Sequence, residues 1–515
     1  MTAAAGPAAG ERADLSAWIA VIAASFGCFM AMLDISVVNA SLPTIQGEIG
    51  ASGTEGTWVT TSYLVAESVA IPLTAWLTRL LGLRTLMVGA IALFTAASVI
   101  CGFAHNLTVM IVGRALQGFF GGVLLPSVVM VIALRLPPAQ RTIGYLIFAM
   151  TTVTGPIVGP VLGGWLTEAW SWHFGFFINI PVGILIVSLL AVGLPGEPAH
   201  LKEFFRADWL GIFGFAIGLG CLTVILEEGQ RELWFESGEI RRLAFASLFG
   251  FMLLAIGQFV TETPVIRLAL FLRWRFAVTT LMGVAGGFAF YSTMFVVPQF
   301  LAALAQYNAL QSGLVLLVSG VAALTTAMFV PLLVRIAPAN IIVTVGLALT
   351  AFSCWVNANL TADSNYAAFI LPQAIQGLGM MIMMNCLTQL SITSVPPAFA
   401  ADASALFNSA RNVGGSLGLA GSATLQDQRF WVHSRQIEES VSANATGVQE
   451  QMGGITALAG GSTEALRLLA AEIERQALAM TYNDLFLIIM AICLIVLPIA
   501  LLIPPLPRGE LLPAH

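Results

Sequence analysis

Met32-Leu-Asp-Ile-Ser-Val-Val-Asn-Ala-Ser-Leu-Pro43 follows a run, Ala17 to Leu33, that contains no charged residue. Asp34 therefore stands inside a stretch apolar enough to enter a bilayer. An ionisable group at that depth costs about 3 kcal/mol or more unless it is paired, hydrated or protonated. The first expectation is a proton or cation site in a membrane transporter.

The rest of the chain supports a membrane setting. Its 515 residues are 58% hydrophobic and 9% charged, with mean hydropathy +0.90; a soluble domain is about 25% charged. Many runs reach the roughly 20 apolar residues needed to cross about 30 Å of hydrocarbon. They are too long and continuous for the alternating strands of a β-barrel. The pattern predicts an all-α polytopic membrane protein with fourteen helices, at 16–40, 57–78, 85–104, 108–134, 142–167, 174–194, 208–227, 242–260, 275–303, 311–335, 341–359, 366–394, 402–425 and 484–505. Arg79 and Arg84, Arg135 and Arg141, Lys202 and Arg206, and Arg267, Arg273 and Arg275 all fall in every second connection, while loops 41–56, 105–107, 168–173, 304–310 and 360–365 carry no Lys or Arg. Short cytoplasmic loops collect basic residues, so both termini are expected in the cytoplasm. Loop 228–241, with Arg231 and Arg241, obeys the rule only in part. Met1 to Leu15 lacks a basic n-region, and no cleaved signal peptide is expected.

An internal repeat organises the spans. Ala115-Leu-Gln-Gly118 matches Ala374-Ile-Gln-Gly377 at an offset of 259 residues, and the same offset carries Gly155 onto Gly414 and Gly159 onto Gly418. Two neighbouring helices sharing one offset point to like-oriented halves about an axis along the membrane normal. The expected organisation is a cytoplasmic tail at 1–15, a six-helix half at 16–194, a linker with two inserted helices at 195–260, and a second six-helix half at 261–515 that includes a periplasmic loop at 426–483. Two halves with a site at their shared midplane suit alternating access.

Several motifs together carry a family resemblance: Leu33-Asp-Ile-Ser-Val-Val-Asn-Ala-Ser-Leu-Pro43, Gly113-Arg-Ala-Leu-Gln-Gly118, Gly155-Pro-Ile-Val-Gly-Pro-Val-Leu-Gly-Gly164, Gly56-Thr-Trp-Val-Thr-Thr-Ser-Tyr63 and Phe176-Phe-Ile-Asn-Ile-Pro-Val-Gly183. With them the chain resembles the fourteen-span drug/proton antiporters of the major facilitator superfamily, most closely the EmrB type of multidrug efflux permease. The resemblance implies a major facilitator fold of two six-helix halves plus two inserted helices. It also implies an inner-membrane exporter of hydrophobic or cationic drugs and toxic compounds, driven by the proton gradient without a cofactor. A periplasmic membrane-fusion adaptor, and through it an outer-membrane channel, are the implied partners, alongside the lipid bilayer and small substrates. The alternatives are a facilitator-fold exporter of one dedicated metabolite or siderophore, and a membrane sensor or scaffold that no longer transports. In Ala75-Trp-Leu-Thr-Arg-Leu-Leu-Gly-Leu-Arg84 the chain departs from the superfamily, with Arg79 where an acidic residue is usual.

Within this frame each motif has a physical role. Asp34 and Arg114 are the proton-coupling candidates, because a guanidinium stays ionised and a change in their spacing can load and release a proton. A static pair locking two helices is the plainer reading. Glu67 reads equally as a second protonation site or as an acid satisfied by a neighbouring serine or backbone. Candidate substrate-binding residues are Asn39, Gln117, Tyr291, Gln376, Met380 and Met384, the methionines because flexible side chains suit promiscuous pockets; packing roles are their alternative. Gly155, Gly159 and Gly163 make one smooth helix face, and Pro156 and Pro160 favour a kink. That face is expected to seal the interface between halves as a gate; ordinary small-residue helix packing is the alternative, and both can hold at once. Arg411 is expected to snorkel or to pair with Asp402. In the long loop, Leu466, Leu469 and Ile473 share a helical face, either packing on the protein or docking an adaptor. Asn444-Ala-Thr446 is a formal glycosylation sequon.

Other chemistry finds no support in the sequence. There is no Gly-rich phosphate loop with Lys and Ser/Thr, and the five histidines are scattered. The six cysteines all fall in apolar runs and form no disulfide or metal pattern. No stretch suggests nucleic-acid binding, and an enzyme is not expected.

Overall fold

Asp14 starts the first helix: its carboxylate accepts the Ala17 N–H at 2.8 Å, satisfying one of the orphan donors of the first turn. Ser16 and the Ala17 N–H hold this exposed carboxyl below the usual carboxylate range. The helix runs to Gly50, whose φ of 68° is the left-handed conformation that glycine adopts without strain. The computed structural model describes residues 13–503 except 52, 201, 206, 262–263, 308, 362–363, 365, 397–398 and 441–461. Arg206 and the Asn444 sequon lie outside the described residues.

Fourteen long helices carry the fold: α1 (Leu15–Ile49), α2 (Trp58–Leu81), α3 (Leu83–Gly102), α4 (Leu107–Arg135), α5 (Pro138–Ala169), α6 (Asn179–Gly193), α7 (Trp209–Glu228), α8 (Gly238–Val260), α9 (Trp274–Ala303), α10 (Ala309–Ile336), α11 (Ala339–Asn357), α12 (Tyr366–Thr393), α13 (Ala400–Ser440) and α14 (Ser462–Leu501). No strand occurs among the described residues. The fold is an all-α multi-pass membrane bundle.

Packing repeats between the halves. α1 packs on α5 and α6, α2 on α4, and α3 on α4 and α6. In the same order α9 packs on α13 and α14, α10 on α12, and α11 on α12 and α14. Glycines set the closest approaches. A Cβ at Gly155 or Gly159 would meet Met32 or Ser36 of α1 at 2.8 and 2.2 Å; at Gly414 or Gly418 it would meet Val284 or Phe288 of α9 at 2.1 and 2.6 Å. Across the halves, α2 packs on α13 and α5 on α10. The inserted α7 and α8 pack on each other, and α7 lies along α2 and touches α13.

The glycine face of α5 therefore follows the packing alternative. It lies against α1, inside the first half, and not on the interface with the second. The smooth surface lets two backbones approach; Gly163 sits over the backbone of Val37, where a Cβ would lie 2.8 Å from its carbonyl oxygen. Pro156 and Pro160 remove N–H donors, and the segments Ile143–Pro156 and Val158–Ala169 meet at a bend of 43°.

Thirteen of the fourteen spans, counting the bent α5 as one, are apolar enough to cross a membrane by composition. The exception is α13, whose 41 residues include Asn408, Arg411, Asn412 and Ser416. Its neighbours α9, α14, α2 and α12 shield it. At roughly 1.5 Å per residue α13 is about 60 Å long, twice a bilayer's hydrocarbon thickness. Both α13 and α14 thus continue as helices into segment 426–483, and the expected helical stretch 464–475 is the start of α14.

Candidate functional site

Asp34, Arg114, Gln117, Ser98 and Asn179 come from α1, α4, α3 and α6 and meet inside the first half. All are at most 2% exposed. Arg114 Nη1 donates to Asp34 Oδ2 at 2.5 Å. The other carboxylate oxygen accepts from Asn179 Nδ2 at 2.7 Å and from Gln117 Nε2 at 3.1 Å. Arg114 Nη1 also reaches Gln117 Oε1 at 3.0 Å, and its Nε donates to the Val59 carbonyl of α2 at 3.1 Å. The guanidinium carbon lies 4.4 Å from the centre of the Tyr63 ring, a cation–π arrangement that substitutes for lost hydration.

The network is nearly saturated. Gln117 Nε2 also donates to Ser98 Oγ at 2.8 Å, and its carbonyl receives the Cys101 thiol at 3.4 Å. Its amide is thus committed to the ion pair and offers nothing to a substrate. Only Arg114 Nη2 and the Tyr63 hydroxyl lack partners. Breaking a buried pair by removing one member costs about 3–5 kcal/mol, because the other charge is stranded. The same reasoning makes protonation of Asp34 consequential: it cancels the charge that balances Arg114 and removes an acceptor shared by α4 and α6.

The second half has the scaffold without the charges. Asp34 lies between the glycine contacts at Met32 and Ser36, and its counterpart between Val284 and Phe288 is Gly286. Arg114 stands three residues before Gln117, as Gln373 stands before Gln376. Gln373 is 1% exposed with its Nε2 unpartnered. The charge pair is a property of the first half alone.

The other candidates are spread more widely. Asn39 is exposed at the far end of α1, bonded by Thr60 Oγ1 at 2.8 Å. Gln376 is buried and reaches Thr293 Oγ1 at 3.4 Å. Met380 packs in the apolar core of the second half, and the Met384 methyl covers Gly286. Tyr291 lies half-buried against Gly415. Glu67, on α2, is buried and makes no hydrogen bond or ion pair among the described residues. Arg411 does not pair with Asp402: that carboxylate takes Arg79 of α2 at 3.1 Å and Arg267 at 3.4 Å. The unusual Arg79 thus ties the first half to the second at the end of the bundle that carries the basic loops.

Sequence reading missed Asn179, Ser98 and Tyr63. Asn179 was visible as a lone amide in an uncharged span, but nothing in the sequence aimed it at Asp34. It also missed Glu227 and Glu228, adjacent at the end of α7. Glu228 accepts from Thr61 Oγ1 of α2 at 2.6 Å and pairs with Arg231 at 2.6 Å, while Glu227 accepts from Ser416 Oγ of α13 at 3.1 Å. Just beyond, Trp234 Nε1 donates to Thr424 Oγ1 at 3.1 Å. The inserted pair thereby touches both halves at the end opposite the basic loops.

Comparison with known proteins follows the same lines. Residues 24–419 match the model of the Major Facilitator Superfamily. The chain is 33% identical to the colistin resistance protein EmrB of Acinetobacter baumannii, over 91% of this chain and 93% of that protein. It is 30% identical to the multidrug export protein EmrB of Escherichia coli, covering 93% and 94%, and 29% identical to the fatty acid resistance protein FarB of Neisseria gonorrhoeae, covering 95% and 96%. Among solved structures, the human organic anion transporter MFSD10 is similar in fold, with TM-score 0.55 at 12% identity over 93% of this chain and 99% of that one.

Proposed function

The chain belongs to the major facilitator superfamily, a transporter and not an enzyme, and from that premise we propose that it is a multidrug exporter of the EmrB type, exchanging protons for hydrophobic or cationic compounds across the inner membrane. The end bearing the basic loops faces the cytoplasm in this reading. The observation that supports it most is the fully buried Asp34–Arg114 pair, fastened by Gln117 and Asn179. A proton reaching Asp34 neutralises it, loosens α1 from α4 and α6, and leaves Arg114 held by Val59, Gln117 and Tyr63 alone. The pair re-forms when the proton leaves. Coupling then consists of linking these two arrangements of the first half to opening on opposite sides.

The projecting ends of α13 and α14 support the proposed partnership with a periplasmic adaptor. The α13 end exposes Trp431 and Val432 beside Arg435 and Glu439 around a shallow hollow of about 310 Å³. An adaptor seated there would hand substrate to an outer-membrane channel.

The test is transport by the purified chain in proteoliposomes. A pH gradient imposed across the vesicle wall should drive uptake of a fluorescent hydrophobic cation, and adding the cation should dissipate the gradient. Transport that is indifferent to the gradient and to its collapse by an ionophore would reject proton exchange.

A further inference from the structure

Glu67 and Arg411 are opposite charges on α2 and α13, helices of different halves that pack on each other, and neither makes a hydrogen bond or ion pair among the described residues. Glu67 lies midway along α2, 7% exposed, with no ion pair within 4 Å and no hydrogen bond. Arg411 lies on α13, which packs directly on α2. Its backbone is pressed against α9, where a Cβ at Gly287 would meet the Arg411 carbonyl oxygen at 2.1 Å. The one acid expected to neutralise it, Asp402, is occupied by Arg79 and Arg267. Arg79 and Asp402 pair these two helices at the basic-loop end; Glu67 stands twelve residues before Arg79 on α2 and Arg411 nine residues after Asp402 on α13, so the two lie at similar depth along the packed helices without closing to ion-pair distance. Tyr291 lies on α9 one turn beyond Gly287, with its ring against Gly415, one turn beyond Arg411.

Unpaired charges inside a membrane protein are costly, and two of opposite sign at one depth gain by direct contact unless something lies between them. A single charge would call for a ligand of the opposite sign; two unpaired charges of opposite sign call for a ligand with both. We infer that Glu67 and Arg411 are the two polar ends of a substrate site between the halves, built for amphoteric amphiphiles. The acidic group of the ligand lies on the Arg411 fork, its basic group lies at Glu67, and its apolar body lies along Tyr291. The site is separate from Asp34, whose charge is already matched by Arg114. Because its two ends belong to different halves, a bound ligand bridges them, and rocking of the halves changes the span it must fit. The inference rests on the exporter reading and specifies its substrate class.

Three dansyl probes on the full-length protein in proteoliposomes test it: dansylcadaverine (basic), dansyl-aminohexanoate (acidic) and dansyl-lysine (amphoteric). The wild type should carry dansyl-lysine in preference to the other two. Arg411→Gln should lower transport of both acid-bearing probes at least tenfold and change dansylcadaverine less than twofold. Glu67→Gln should do the reverse for the basic group, and Arg411→Lys should keep a measurable share of acid transport, which shows that a loss in Arg411→Gln is not misfolding. Equal loss of all three probes in Arg411→Gln, no loss of any, or a wild type that carries a neutral hydrophobic dye but no dansyl probe would each overturn the site. A wild type that carries neither dye nor probes would fail the exporter reading itself.

Discussion

The Arg114 guanidinium lies 2.5 Å from the Asp34 carboxylate, and neither side chain has any exposed surface. Two residues 80 positions apart in the chain, on α1 and α4, are thereby joined through charge inside a membrane bundle. The pair is costly to assemble and costlier to break on one side only.

Arg114 should not be replaceable by lysine. One guanidinium nitrogen serves both Asp34 and Gln117, another holds the Val59 carbonyl, and the plane covers Tyr63. An ammonium cannot reproduce that fork. Arg114→Lys should lower transport at least tenfold, and Arg114→Ala should cost about 3–5 kcal/mol by stranding Asp34. In thermal unfolding, the double variant Asp34→Asn with Arg114→Gln should be more stable than Arg114→Ala. A double variant no better than the single would mean that the pair is not what the fold depends on.

The two faces of α5 should respond differently to one methyl group. A Cβ at Gly159 would lie 2.2 Å from the Ser36 Cβ, while nothing stands within 4 Å of one at Gly164. Gly159→Ala should destabilise the first half by about 1–3 kcal/mol through overpacking, and Gly164→Ala should be neutral. Melting temperatures of the two variants in one detergent decide the matter.

Asp402 should hold the bundle shut at the basic-loop end. It takes Arg79 and Arg267, and Arg267 also lies over the Phe399 ring at 4.5 Å. Asp402→Asn should weaken both links and raise labelling, by a thiol reagent added from that side, of a cysteine introduced on the buried face of α13. Unchanged labelling would show that the apolar contacts of Leu73, Trp76 and Leu406 close this end on their own.

The inserted pair should travel with the first half. α7 follows α2 along an apolar seam, where a Cβ at Gly220 would lie 3.7 Å from Val69 Cγ2, but meets α13 near its end through Ser416 and Thr424. Cross-linking Gly220→Cys to Val69→Cys should leave transport at the level of the uncross-linked variant. Cross-linking Trp234→Cys to Thr424→Cys should stop it until reduction. The opposite pattern would place α7 with the second half.

Much of this architecture was legible in the sequence because the bilayer leaves few options. Long apolar runs must be helices, and basic loops alternate. Asp34 and Arg114 stood out because charges are scarce in such runs. Which amides gather around them was not legible, because Asn179 and Ser98 lie on helices whose rotation no local pattern fixes. The glycine face of α5 was read correctly as a close-packing surface but assigned to the other interface, since small residues specify proximity and not the partner. The pairing of Arg411 with Asp402 fails for a similar reason: Asp402 is near in sequence, yet Arg79 and Arg267 reach it from distant parts of the chain.

The central claim is that the Asp34 carboxylate carries the exchanged proton, and Asp34→Asn tests it most directly. Asparagine keeps the shape and one acceptor for Arg114 but cannot ionise. Proton release on adding drug to energised proteoliposomes should disappear in this variant, while drug binding to the folded protein in detergent persists. Drug-induced proton movement at the wild-type rate in Asp34→Asn would contradict the account.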